Sequence, residues 1–224
     1  RMLGKHAPLR HGNQDTFDEH LGRDAYVQLV RETKFLGMVN WTMLPRLNTI
    51  WQTLIDDVLP QMDNDRTIFI DLADPGKRTR EDLAEAMELT KKLNTESRGV
   101  GGCNLSEAAQ VAEVLGVSVP DTDEAQKAAI EQIALDLREA LEVHSVCVHP
   151  REGAAAAIRT DAGVESALFK GPFVAKPKLS TGAGDNFNAG FCLGLLAGLP
   201  IDQCLCTGTA TSGFYVRNAH SPSL

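Results

Sequence analysis

Thr181-Gly182-Ala183-Gly184-Asp185 sets a glycine-rich turn and one carboxylate directly in front of a long apolar segment, Phe187 to Leu199. The first N–H groups of a helix have no partner inside it and carry the positive end of the helix dipole. Glycines let an oxyanion approach that backbone closely. The chemistry on offer is phosphoryl transfer, which needs alignment, charge neutralisation and a base for the attacking hydroxyl, here Asp185. A carboxylate at a helix start also complements the dipole in ordinary proteins, by about 0.3–1 kcal/mol. The loop alone supports both roles.

Asn104-Leu105-Ser106-Glu107 is a second candidate. Taken by itself it reads as a helix N-cap with Glu at N3. In a sheet built from alternating strands and helices, ligands sit beyond the carboxyl ends of the strands. That rule selects Asn40, Asp71, Asp74, Asn104 and His149. Turn and cap roles explain Asp71 and Asp74 as well as a site role does, and His149 reads as a structural histidine at a strand end or as a phosphate contact.

The elements that must position these residues alternate. One or two short helices around Gly22 precede a strand, Lys34 to Thr42, and a helix from Leu44 to Leu59. The strand TIFIDLAD follows, then a helix opened by Thr79 and Asp82 as a capping box and running through Leu93. RGVGGCN is a short strand or turn before a helix closed by Gly116. A long helix lies between Asp123 and Leu141, followed by the strands HSVCVHP and AAAAIRT and the β-rich ALFKGPFVAKP. This pattern predicts an α/β fold with a mostly parallel sheet covered by helices on both faces. The segment behind Asp185 is apolar all round, with Gly190, Gly194 and Gly198 forming a smooth ridge, and such a helix is expected to be buried to about Gly198. Burial would hold its N-terminus rigidly.

Composition removes several classes of function. The chain of 224 residues carries a net charge of -8 and has no basic run interleaved with aromatics, which argues against nucleic acid as a partner. The apolar run from Phe187 is shorter than the roughly 20 residues of a membrane span, so no membrane is expected. Five cysteines without a CxxC pair fit reduced thiols in a cytoplasm. The lead-in RMLGKHAPLRHGNQD has neither an initiator methionine at position 1 nor the apolar core of a signal peptide, and reads as a cut front.

STGAGDNFNAGF resembles the C-terminal signature of the ribokinase-like sugar kinases, the PfkB family, and NLSE matches that family's Asn-x-x-Glu motif. The resemblance extends from GMVNWT to SPSL. It implies a carbohydrate kinase that moves the γ-phosphoryl group of ATP to a hydroxyl of a small sugar. In it Asp185 is the base, Gly182, Ala183 and Gly184 form the anion hole, and Asn104, Thr181 and Gly208 face the nucleotide. Glu107 serves the magnesium ion, directly or through water; a hard cation that keeps most of its waters needs only one or two carboxylates. The resemblance further implies that the family's first strands, with the acceptor contacts and lid, precede Arg1. Residues 1–224 would then be one domain, the nucleotide-side portion, and a homodimer is admitted.

Departures from the family pattern bear on the donor. Leu179-Ser180 stands where many relatives have Asp-Thr, and VHPREG places Val148 and Pro150 at the Thr and Gly positions of a nucleotide-facing turn. Gly208 stands where Asn is frequent. An ADP-dependent kinase, a nucleoside kinase or a non-catalytic regulatory relative of the same fold therefore remain as alternatives. A dinucleotide fingerprint fails because Asn104 and Phe187 occupy required glycine positions, and a Walker A loop fails at Asp71.

Overall fold

The fold is described in a computed structural model for residues 14–63 and 65–223. The lead-in up to Asn13 lies outside the described residues. The chain divides into two compact units, residues 1–100 with 141–143, and residues 101–140 with 144–224.

In the first unit α1 (Gln14–His20) and α2 (Arg23–Glu32) precede β1 (Phe35–Met38), which pairs in parallel with β2 (Thr67–Asp71). β2 is buried at four of its five positions, as a strand covered on both faces must be, and its other neighbour is β3 (Arg98–Cys103). Between β1 and β2 the expected helix is shorter than the Leu44–Leu59 pattern suggests. Regular α3 spans Leu47–Thr53, then widens into a π-turn over Leu54–Val58 and tightens to a 3-10 turn over Leu59–Gln61. Pro60 is the physical reason: it lacks an N–H and its ring crowds the preceding turn, so the regular ladder cannot run through it.

α4 (Arg80–Thr95) begins where Thr79 accepts from the Asp82 N–H at 3.1 Å. Asp82 does not close the expected capping box; the Arg78 guanidinium takes one of its oxygens at 3.3 Å. Arg78 also lies 3.9 Å from the centre of the buried Trp41 ring and donates to the carbonyls of Trp41 and Pro45. One cation thus ties the turn after β1 to the start of α4.

The second unit continues from β3 into α5 (Leu105–Leu115), α6 (Asp123–Ala128), α7 (Ile130–Leu141), β4 (Ser145–Val148), β5 (Ala154–Thr160) and β6 (Gly163–Phe169), with strand order β3-β4-β5-β6. The α/β class holds, but the strands are mixed in direction: β4, β5 and β6 are antiparallel. Short connections enforce this. A parallel crossover needs a dozen or more residues, whereas only Asp161 and Ala162 separate β5 from β6. β6 also begins earlier than the sequence suggests and stops at Phe169, before Pro172 and Pro177, which cannot donate to a ladder.

Two helices close the unit, α8 (Ala183–Leu196) and α9 (Ile201–Asn218), packed on each other, with α9 against β5 and β6. A Cβ on Gly190 would lie 2.5 Å from Thr211 Oγ1, and one on Gly194 would lie 2.9 Å from Thr207 Oγ1. These two glycines let the helices touch. Gly198 does not continue the ridge: with φ +70 and open space around it, it ends the helix. The expectation of a helix buried all round is corrected on its other face. Leu193 and Leu196 are 63% and 49% exposed among the described residues, because only the glycine side meets α9.

Candidate active site

The loop before α8 is shaped by one glycine and one distant tyrosine. Gly182, the N-cap, has φ 91, a conformation that L side chains rarely adopt, and a Cβ there would come 2.9 Å from the Tyr215 hydroxyl. That hydroxyl, carried on α9, donates to the Thr181 carbonyl at 2.7 Å. Ala183 N–H donates to the Ser180 carbonyl, and Asn186 donates from its backbone and side chain to the Gly182 carbonyl. The N–H groups of Gly184 and Asp185 find no backbone acceptor among the described residues, as the first turn of a helix requires. The Asp185 side chain is exposed and makes no hydrogen bond or ion pair with them.

Ala183 and Gly184 line a cavity of about 290 Å³ with Asn104, His149, Phe187 and Thr209. Its rim includes Arg151, whose guanidinium stands 5.6 Å from the centre of the exposed Phe173 ring, and Glu152, which pairs with Lys127 at 3.1 Å. Two shielded polar atoms of the lining have no partner among the described residues, His149 Nε2 and Thr209 Oγ1. An unpartnered buried group costs about 1–3 kcal/mol, and neither atom is open to the cavity in this arrangement.

His149 follows β4, and its backbone N–H donates to the Cys103 carbonyl at 3.0 Å. Its ring stacks on Phe187 at 4.7 Å, and Phe187 stacks on Phe191 at 6.1 Å. Burial pushes its pKa down to about 4, which leaves the imidazole neutral at neutral pH.

Asn104 and Glu107 form a complete capping box on α5: Asn104 Oδ1 accepts from the Glu107 N–H at 3.0 Å, and Glu107 Oε2 accepts from the Asn104 N–H at 2.9 Å. Glu107 is 9% exposed and is absent from the cavity lining, whereas Asn104 faces it. No group of three or more His, Cys, Asp or Glu suited to a metal ion occurs among the described residues.

The structure therefore brings Asn104, His149, Ala183 and Gly184 together on one cavity, with Gly182 and Thr181 behind them in the loop. Gly208 is not among the residues that line the cavity. It is buried in α9 with a would-be Cβ 2.9 Å from the Phe187 ring, and its neighbour Thr209 reaches the cavity instead. In the first unit Asp71 accepts from the Ala73 N–H at 2.8 Å and Asp74 pairs with Lys77 at 2.9 Å, the turn roles that were open to them. Arg151 lies in the VHPREG turn without having been singled out, and no local motif marks Tyr215 or Phe173.

Solved structures of low identity share this fold. Ribokinase from Cryptococcus neoformans var. grubii serotype A, solved with ADP, aligns with a TM-score of 0.64 and 19% identity over 85% of this chain and 57% of its own. Adenosine kinase from Anopheles gambiae gives 0.66 and 16% identity over 96% of this chain and 60% of its own. A ketohexokinase from Haloferax volcanii is 27% identical over 207 residues, which cover 92% of this chain and 52% of the relative. The chain thus spans about half the length of the curated relative it matches. The family profile described as prokaryotic ketohexokinase matches residues 2–224, nearly the whole sequence and both of the motifs that meet at the cavity. With the ribokinase-like fold and that match over its full extent, the chain belongs to the prokaryotic ketohexokinase family.

Proposed function

We propose that this chain supplies the nucleotide side and the base of a carbohydrate kinase, which transfers the γ-phosphoryl group of ATP to a hydroxyl of a ketohexose or similar small sugar. The observation that carries the reading is the pairing, at one helix start, of Gly184 and Asp185 N–H groups with an Asp185 carboxylate, none of them engaged among the described residues. In this reading Gly182, Ala183 and Gly184 cradle the transferred phosphoryl group. Asp185 accepts the proton of the acceptor hydroxyl as its oxygen bonds to phosphorus and the bridge to the leaving ADP breaks. Asn104, Thr209 and the loop carrying Thr181 bound the nucleotide space.

Magnesium fits as a partner of the nucleotide rather than as a resident ion. When bound it neutralises charge on the phosphate oxygens, and a cation that retains its waters needs no more than the Glu107 carboxylate, reached through water. Glu107 is held in the capping box, is nearly buried and does not line the cavity, which is why direct ligation is not part of the proposal.

The test is calorimetric titration of the chain with ATP and magnesium, followed by an acceptor screen in the full natural protein with ATP and ADP as donors. The screen covers ketohexoses, aldohexoses and nucleosides. ATP-dependent phosphorylation of a ketohexose is the expected result. Phosphorylation confined to a nucleoside, or driven only by ADP, would replace the acceptor or donor assigned here, and binding without any turnover would make this a regulatory relative.

A further inference from the structure

Gly184 and His149 face each other across the start of α8. A Cβ on residue 184 would lie 3.4 Å from His149 Cε1, so the imidazole edge abuts the backbone whose N–H is unengaged. In that orientation Nε2 points into a shielded space and meets no partner among the described residues. A half-turn about the Cβ–Cγ bond exchanges Cε1 and Nε2 in nearly the same volume. The turned ring keeps its stack on Phe187 and presents Nε2 to the space beside Gly184.

We propose that His149 is a ligand-binding residue of the anion cradle, in which Nε2–H donates to an oxygen of the phosphoryl group seated at Ala183 and Gly184, and that this contact turns the ring out of its shielded orientation. The inference rests on the phosphoryl-transfer reading and adds a residue to it. Because the imidazole is neutral, it contributes a directed hydrogen bond without a fixed positive charge. Thr209 Oγ1 is the other shielded atom of the same lining without a partner among the described residues.

Nitrogen-15 NMR of the 224-residue chain, titrated with ATP and with inorganic triphosphate, reads the contact directly. The expected result is that the Gly184 amide and His149 Nε2 resonances move together, with Nε2 taking the position of a protonated, hydrogen-bonded nitrogen. His149→Phe keeps the aromatic stack and loses the donor. It should weaken ATP binding roughly tenfold, the scale of one hydrogen bond to a charged group, while its melting temperature holds or rises. His149→Gln should recover part of the affinity. If the Gly184 amide responds but Nε2 does not, and His149→Phe binds like the parent, the His149 contact is overturned while the cradle stands. If neither ligand moves the Gly184 amide, the cradle fails and takes this inference with it.

Discussion

The Tyr215 hydroxyl donates to the Thr181 carbonyl at 2.7 Å, joining the last helix to the loop that opens α8. One hydrogen bond of this kind contributes about 0.5–1.5 kcal/mol net. Tyr215→Phe keeps the ring against Gly182 and removes only that bond. Its melting temperature should therefore fall by a few degrees at most, while the nucleotide KM rises more than the fold weakens. An unchanged KM would make the bond a stabiliser of α9 alone.

Asp185→Asn preserves size and removes basicity. In the full natural protein kcat should fall by a factor on the order of 10² or more, the scale of a lost general base. Nucleotide affinity should hold or tighten, because a carboxylate beside phosphate oxygens repels them. Near-parental kcat on the true acceptor would reduce Asp185 to a partner of the helix dipole.

Two glycines on the same helix should respond in opposite ways to alanine. A Cβ at Gly190 meets Thr211 Oγ1 at 2.5 Å and the Thr207 carbonyl at 2.6 Å, both on the packed face of α9. Overpacking of this kind costs about 1–3 kcal/mol, so Gly190→Ala should lower stability without a specific effect on nucleotide. A Cβ at Gly184 meets only His149 Cε1, at 3.4 Å, which is ordinary contact. Gly184→Ala should fold like the parent and bind nucleotide more weakly, as paired melting and titration curves would show.

What could be read from the sequence was local. Asn104 and Gly116 bound α5 because a cap and a left-handed stop are signalled within a few residues of the bonds they make. The loop from Thr181 to Asp185 is legible for the same reason. Tyr215 is not, since its partner lies 34 residues away and any tyrosine on a helix looks alike in sequence. The packing role of Gly208 is not legible either, since its missing side chain makes room for a Phe187 ring that only the folded chain brings against α9. The strands HSVCVHP and AAAAIRT were legible, but not that β4, β5 and β6 run antiparallel, because direction is set by the short connections between them rather than by the pattern within each strand.

Glu107→Gln separates a cap from a metal partner. The amide can still accept from the Asn104 N–H, so the capping box loses only charge and stability should fall by less than about 1 kcal/mol. Turnover in the full natural protein should need a higher magnesium concentration than the parent. If the magnesium dependence is unchanged and only the melting temperature moves, Glu107 serves the helix alone.

His149 makes stability depend on pH in a defined window. Its folded pKa is about 4, below the value near 6.5 of an unperturbed imidazole. Above about pH 6.5 the ring is neutral in both states and the stability linked to it is fully present. As pH falls from 6.5 toward 4, the unfolded chain takes up a proton that the folded ring refuses, and the unfolded state gains. Between pH 7.5 and 5 the parent should therefore lose on the order of 1–2 kcal/mol that His149→Phe, with the stack kept and the titrating nitrogen gone, does not lose. Urea unfolding of both proteins at the two pH values measures the difference, and the carboxylates common to both cancel in the comparison. Equal losses in parent and variant would mean that the ring takes up its proton as readily in the folded state as in the unfolded one.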